Sequence, residues 1–278
     1  MKNKISFRDW HNILRDTRHE VEKRPAVLVC GEKTLSMSFS TLLGPGAAEV
    51  FERAEMGDKT VVLSRYELVI LLMNGQTADG EVADVAQRAT RTGAELMAFV
   101  DVSGLTESAA RALAVQAELS ASLSPGQIGV FSDAADSVEL RKILKLILDR
   151  IDGKSLSLAA LVPAFRPLVV KSIIDEIAGE NGIVGAVAFL PASDMPVMTA
   201  NQMRMIMKIA AAFGVTLSLK RAKELLVVVG GGFTFRAVAR QLVGLAPVAG
   251  WAVKGAIAYT GTRAMGALAA KYFSELKE

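Results

Sequence analysis

The chain has 278 residues, room for two compact units, and its 51% apolar and 22% charged composition is that of a folded chain, not a disordered one. Its one cysteine, Cys30, excludes an internal disulfide framework and fits a reducing compartment, here expected to be the cytoplasm. The formal net charge of +3 conceals a division: residues 1–152 hold 18 Lys+Arg against 22 Asp+Glu, a balance of −4, whereas residues 153–278 hold 14 against 7, a balance of +7. A second half that is apolar and basic favours anionic partners such as lipid headgroups, nucleic acid or an acidic protein face.

Residues 1–24 are expected as an amphipathic N-terminal helix, with Trp10, Ile13, Leu14, Thr17 and Val21 at helical spacing. They carry charges throughout and lack the apolar core of a secretion signal. The spacing predicts a helix docked on the domain that follows it, and a partner or membrane-surface helix is the alternative. His11 and His19 stand eight apart, twice the spacing of a helical metal pair, and are read as surface residues.

Arg24 and Pro25 break that helix. Apolar runs then recur at 26–30, 59–63, 68–73, 96–102 and 127–131, each short enough for a buried strand. Helical patterns fall between them at 80–92, 106–120 and 137–151. Strands alternating with helices predict a parallel sheet covered on both faces over 25–152, with any ligand beyond the carboxyl ends of the strands.

The residues at those ends decide what chemistry is available. After the first strand comes GEKTLSMSFST, residues 31–41. A phosphate loop needs a glycine, four residues, then Gly-Lys-Ser/Thr. Counting from Gly31, the second glycine is replaced by Ser36 and the lysine by Met37, while Ser38 keeps the magnesium-binding hydroxyl. Lys33 lies inside the stretch. Candidate nucleotide contacts are therefore Gly31, Lys33, Ser36, Ser38 and Asp101. The last ends the run AFVD, without an asparagine or lysine beside it. Asn74-Gly75, at the end of another run, is a turn with no carboxylate directly before it. Neither a Ser-His-Asp nor a Cys-His arrangement has usable spacing.

A polar joint at 152–157 marks the expected domain boundary. Beyond it, 158–179 is helical with Pro163 and Pro167 breaking or starting it, and 182–198 reads as a broken helix or loop. Thr199 is expected to cap a helix over 200–213 that ends at Gly214. Met203, Met205 and Met207 suggest adaptable core packing, with a partner groove as the alternative. Asp194, Asn201 and Gln202 are read as capping and joint residues or as a polar cluster at an interface. The stretches 224–245 and 248–273 predict an apolar helical hairpin. Arg236 and Arg240 lie one turn apart in the first arm and Lys254 lies near the start of the second. Ala252, Ala256, Thr260 and Ala264 form a row of small residues suited to close helix approach. A membrane span needs about 20 largely uncharged residues, so the two arginines argue against the first arm as an independent span. Soluble or peripheral association is the leading expectation, and integral placement in the cytoplasmic membrane stands beside it.

The order of elements over 25–152 resembles an Era-like GTPase domain, with Gly31–Ser38, Asn74-Gly75, Asp101 and Ser132 standing where its motifs would fall. PAFRPLVVKSIIDEIAGENGIVGAV, the DMPVMTANQM element and FRAVARQLVGLAPVAGWAVKGAIAYTGTRAMG resemble the YcjF-like helical family over 158–273. That resemblance implies a GTPase-like front domain, degenerate at Ser36, Met37, Asn74 and Asp101, and a membrane-associating helical back domain. The expected architecture is thus a degenerate GTPase-like α/β domain over 25–152 and an all-α domain over 153–278. The expected role is a non-catalytic scaffold or adaptor acting at a membrane surface, on a protein partner or on itself as an oligomer, with no cofactor. A nucleotide switch using GTP and magnesium is the alternative. Nucleic acid is the least favoured partner, because aromatic platforms beside the basic residues are few.

Overall fold

The computed structural model describes residues 7–132, 137–151, 153–187, 195–215 and 250–276. The chain divides into two compact units, Arg24–Phe165 and a second that joins Met1–Lys23 to Arg166–Glu278.

The first unit is α/β. Its described residues form a five-stranded parallel sheet: β1 (Val27–Cys30), β2 (Phe51–Ala54), β3 (Leu68–Met73), β4 (Glu95–Asp101) and β5 (Ile128–Phe131), in the order β2-β1-β3-β4-β5. This doubly wound order places its switch point between β1 and β3. β1 and β3 are buried along their whole length, which is why they read as unbroken apolar runs. Alternate residues serve opposite faces. Leu28, Cys30, Val69, Leu71, Ala98 and Val100 belong to a core shared with α3 (Asp79–Thr92) and α4 (Glu107–Ala121). On the other face Phe39 of α2 (Lys33–Leu43) meets Phe99 of β4 and Phe131 of β5, with ring centroids 5.3 and 5.5 Å apart. Two further helices complete the unit, α5 (Ser137–Leu148) and α6 (Ser155–Leu161).

One strand differs from expectation. Residues 59–63 are not a strand. They belong to the β2–β3 crossover, which has no α-helix and passes through a 3-10 turn at Leu63–Arg65. The strand paired with β1 is Phe51–Ala54, a sheet edge whose Glu52 and Arg53 face solvent. The crossover is held to α3 by Arg88, which donates to the carbonyls of Asp58 (3.2 Å) and Val61 (2.8 Å) and pairs with Asp84.

The second unit is helical. It contains α1 (Phe7–Glu22), α7 (Arg166–Val187), α8 (Met195–Ala212) and α9 (Gly250–Glu275). α8 is its centre. Met203, Met205, Ile206, Met207, Ile209 and Ala210 are all at most 3% exposed and surround the helix. The gap in that ring falls at Arg204 and Lys208, paired with Glu180 of α7 and Glu20 of α1. Thr199 lies inside α8 and does not cap it, because the helix starts at Met195 with Pro196 in the tolerated first turn. Gly214 does end it, with φ of +69° and the Val215 amide bonded back to the Ala210 carbonyl.

α7 and α9 run antiparallel and touch backbone to backbone. A Cβ at Gly255 would sit 2.9 Å from the Gly182 carbonyl oxygen. The expected small-residue row is not this contact. Ala252, Ala256 and Thr260 are exposed, and α9 turns Gly255, Thr262 and Gly266 inward. Among the described residues no helix is long and apolar enough to cross a membrane. The first arm of the expected hairpin lies outside the described residues.

Candidate functional site

In a doubly wound sheet the place for a ligand is the crevice beyond the carboxyl ends at the switch point. Gly31 and Glu32 form the whole connection from β1 to α2, and Lys33 is already the first helical residue. A phosphate loop spends six residues between its strand-end glycine and its Ser/Thr on an arc of exposed amides. Here five of those six, residues 33–37, are in the helix, with the Ser36 amide bonded to the Glu32 carbonyl at 2.9 Å. Gly31 serves packing instead: its amide donates to the Ala54 carbonyl at 3.1 Å, and a Cβ on it would meet Leu72 Cβ at 2.8 Å.

The predicted nucleotide contacts therefore do not converge. Lys33 is exposed, Ser36 is 2% exposed and faces the interior, and Ser38 is half-buried. The Ser36 hydroxyl makes no hydrogen bond. Asp101 ends β4, where its carboxylate accepts the Ser103 amide at 2.9 Å. The Asn74 side chain accepts from the Gln76 amide at 2.9 Å, and the Asn74 amide donates to the Thr77 hydroxyl at 2.9 Å. These polar groups are engaged within their own turns. The helices that open at this edge start with carboxylates: Glu32 precedes α2, Asp79 and Glu81 open α3, and Glu107 opens α4. Acids there complement the helix dipoles and repel a phosphate from the same amides.

Cys30, the last residue of β1, is 3% exposed, and burial pushes its thiol from 9.0 up to about 12. It is an inert packing residue and not a nucleophile. Because the folded-state pKa is raised, this contribution to stability is complete below pH 9 and is lost as pH climbs from 9 towards 12. Tyr66, raised by burial first from 10.0 to about 12, adds the same trend from pH 10 upwards. The melting temperature is expected to fall above pH 9, as stability drops by at most about 1.4 kcal/mol per pH unit for each group. Cys30→Ala should flatten the fall between pH 9 and 10; an unchanged slope would show that the thiol is not its source.

In the helical unit, Asn201 belongs to a polar chain across three helices. Its Nδ2 donates to Asn181 Oδ1 at 3.0 Å, and Asn181 Nδ2 donates to Thr262 Oγ1 at 3.0 Å. Asn181 and Thr262 are 0% and 1% exposed. Gln202 is half-buried on α8 and Lys254 is exposed on α9. Asp194, Arg236 and Arg240 lie outside the described residues. A groove of about 410 Å³ between α7 and α9 has a floor of Val170, Ile174, Ala264 and Ala267. On its rim Asp175 pairs with Lys171 and Arg263, and the Lys171 hydrogen bond foremost holds its carboxyl below the usual range. Sequence reasoning missed Asn181 and Asp175, although Asn181 sits one turn beyond Ile177 on the side that α7 buries. Among the described residues no group of three or more His, Cys, Asp or Glu could hold a metal ion.

No family model matches this chain, and no curated protein is significantly similar to it.

Proposed function

We propose that the chain is a non-catalytic scaffold or adaptor, a GTPase-like α/β unit whose phosphate-loop position no longer cradles phosphate, joined to a YcjF-like helical unit that associates with a membrane surface or with a second copy. The observation that carries this reading is the two-residue connection Gly31–Glu32, which leaves no arc of amides where a nucleotide switch holds its phosphates. The carboxylates at the surrounding helix starts support it. So do exposed apolar side chains on the helical unit, among them Trp251 at 66% and Ile183 at 68%.

Titration calorimetry with GTP and magnesium should show no binding in the micromolar range; micromolar affinity would overturn the non-catalytic half. Sedimentation with neutral and anionic vesicles, alongside ultracentrifugation without lipid, tests the other half. The protein should pellet with vesicles or self-associate. A monomer indifferent to both lipids would sink that part.

A further inference from the structure

We propose that the α1 seat on α8 is an exchange surface, and that α1 of a second copy of this chain occupies it in a domain-swapped pair. This deepens the self-association half of the reading above and names its surface. α1 belongs to the helical unit, yet in sequence the entire Arg24–Phe165 unit separates it from the helices it joins. Only residues 23–26 connect the end of α1 to the start of β1, and they include Arg24-Pro25. Short proline-stiffened hinges favour exchange, because the element makes the same contacts in either copy and only the hinge changes conformation.

Over residues 11–22 the α1 contact is also shallow. Of residues 11–22, only Thr17 is buried, at 5% exposure, and its hydroxyl donates back to the Ile13 carbonyl of its own helix at 2.8 Å. Ile13, Leu14 and Val21 are half-buried. Among the described residues an ion pair fixes the register, Glu20 with Lys208 at 2.9 Å, both side chains largely shielded. The surface beneath is the reverse: over 203–210 α8 is buried at every position except Arg204 and Lys208 and cannot be left bare. A weakly held helix over a strip that must stay covered is a cover supplied as readily by a neighbour as by its own chain.

Charge reversal distinguishes the two arrangements in the full-length protein. Glu20→Lys sets two cations together within one chain, and Lys208→Glu sets two anions together. When the two variants are mixed, each swapped contact is complementary, one native and one reversed. The mixture is expected to form a pair, one chain of each variant, at roughly tenfold lower concentration than either variant alone. The Glu20→Lys/Lys208→Glu double variant should recover the wild-type melting temperature. A mixture with no pairing beyond its components overturns the proposal, as does a double variant that fails to recover. If wild-type chains still self-associate while the mixture does not pair, this surface is excluded and the scaffold reading stands. If a single variant is too unstable to purify, co-expression with two tags reads the same exchange: recovery of one chain through the other supports it, and absence overturns it.

Discussion

Gly46→Ala is expected to destabilise the α/β unit by about 3–5 kcal/mol, among the most damaging single changes in it. Two costs coincide at this residue. Its φ is +80°, in the left-handed region that glycine enters without penalty and alanine does not. An added Cβ would also lie 2.0 Å from the Leu161 carbonyl oxygen and 3.0 Å from its carbon. Those are backbone atoms at the end of α6, so no side chain can swing away to make room. The unit would have to move α6 and the turn after it, Pro163–Phe165, where Phe165 stacks on Phe51 with centroids 6.3 Å apart. Gly93 is the internal control. Its φ of +74° lies in the same left-handed region, yet nothing lies within 4 Å of its added Cβ. Gly93→Ala should therefore cost only the conformational part, about 1 kcal/mol. Urea unfolding followed by circular dichroism measures both; equal losses for the two variants would mean that the close approach to α6 carries no weight.

What the sequence could reveal of this fold depended on burial. β1, β3 and β4 were legible because interior strands are apolar nearly throughout, and β5, the other sheet edge, because Ile128-Gly129-Val130-Phe131 is an apolar run by itself. β2 was not, because an edge strand needs only one buried side, and Phe51-Glu52-Arg53-Ala54 offers a single large apolar residue. α2 was hidden differently. Its serines and threonines resemble a loop, but in the helix Ser40 and Thr41 donate to the carbonyls of Ser36 and Met37 at 2.8 and 2.9 Å. Leu35, Phe39 and Leu43, at i, i+4 and i+8, were the signal that a helix runs there. Missing it made a two-residue turn look like an eight-residue loop, so the position of the candidate crevice was readable and its shape was not. Long-range pairings had no local signature at all. Nothing in the neighbourhood of Glu20 announces Lys208.

The buried polar chain in the helical unit sets the second large effect. Asn181→Leu is expected to cost about 2–4 kcal/mol even though leucine is close to asparagine in size and more apolar. The loss comes from what remains. Thr262, 1% exposed, loses the donor at its hydroxyl, and Asn201 loses the acceptor for its amide. An orphaned buried polar group costs its full desolvation, more than the net worth of the bond it made. Register is also at stake. Where α7 and α9 meet at Gly182 and Gly255, bare backbone lies against backbone, and such a surface presents few knobs to resist sliding. The Asn181–Thr262 bond supplies the directional contact that the glycines do not. Thr262→Val added to Asn181→Leu removes both partners together. The double variant should then lose less than the sum of the two single changes by about 1 kcal/mol or more. Trp10 and Trp251 both belong to the helical unit, so tryptophan emission follows its unfolding. Strict additivity in that transition would show that the two side chains do not act as a pair, and the account of register would fall with it.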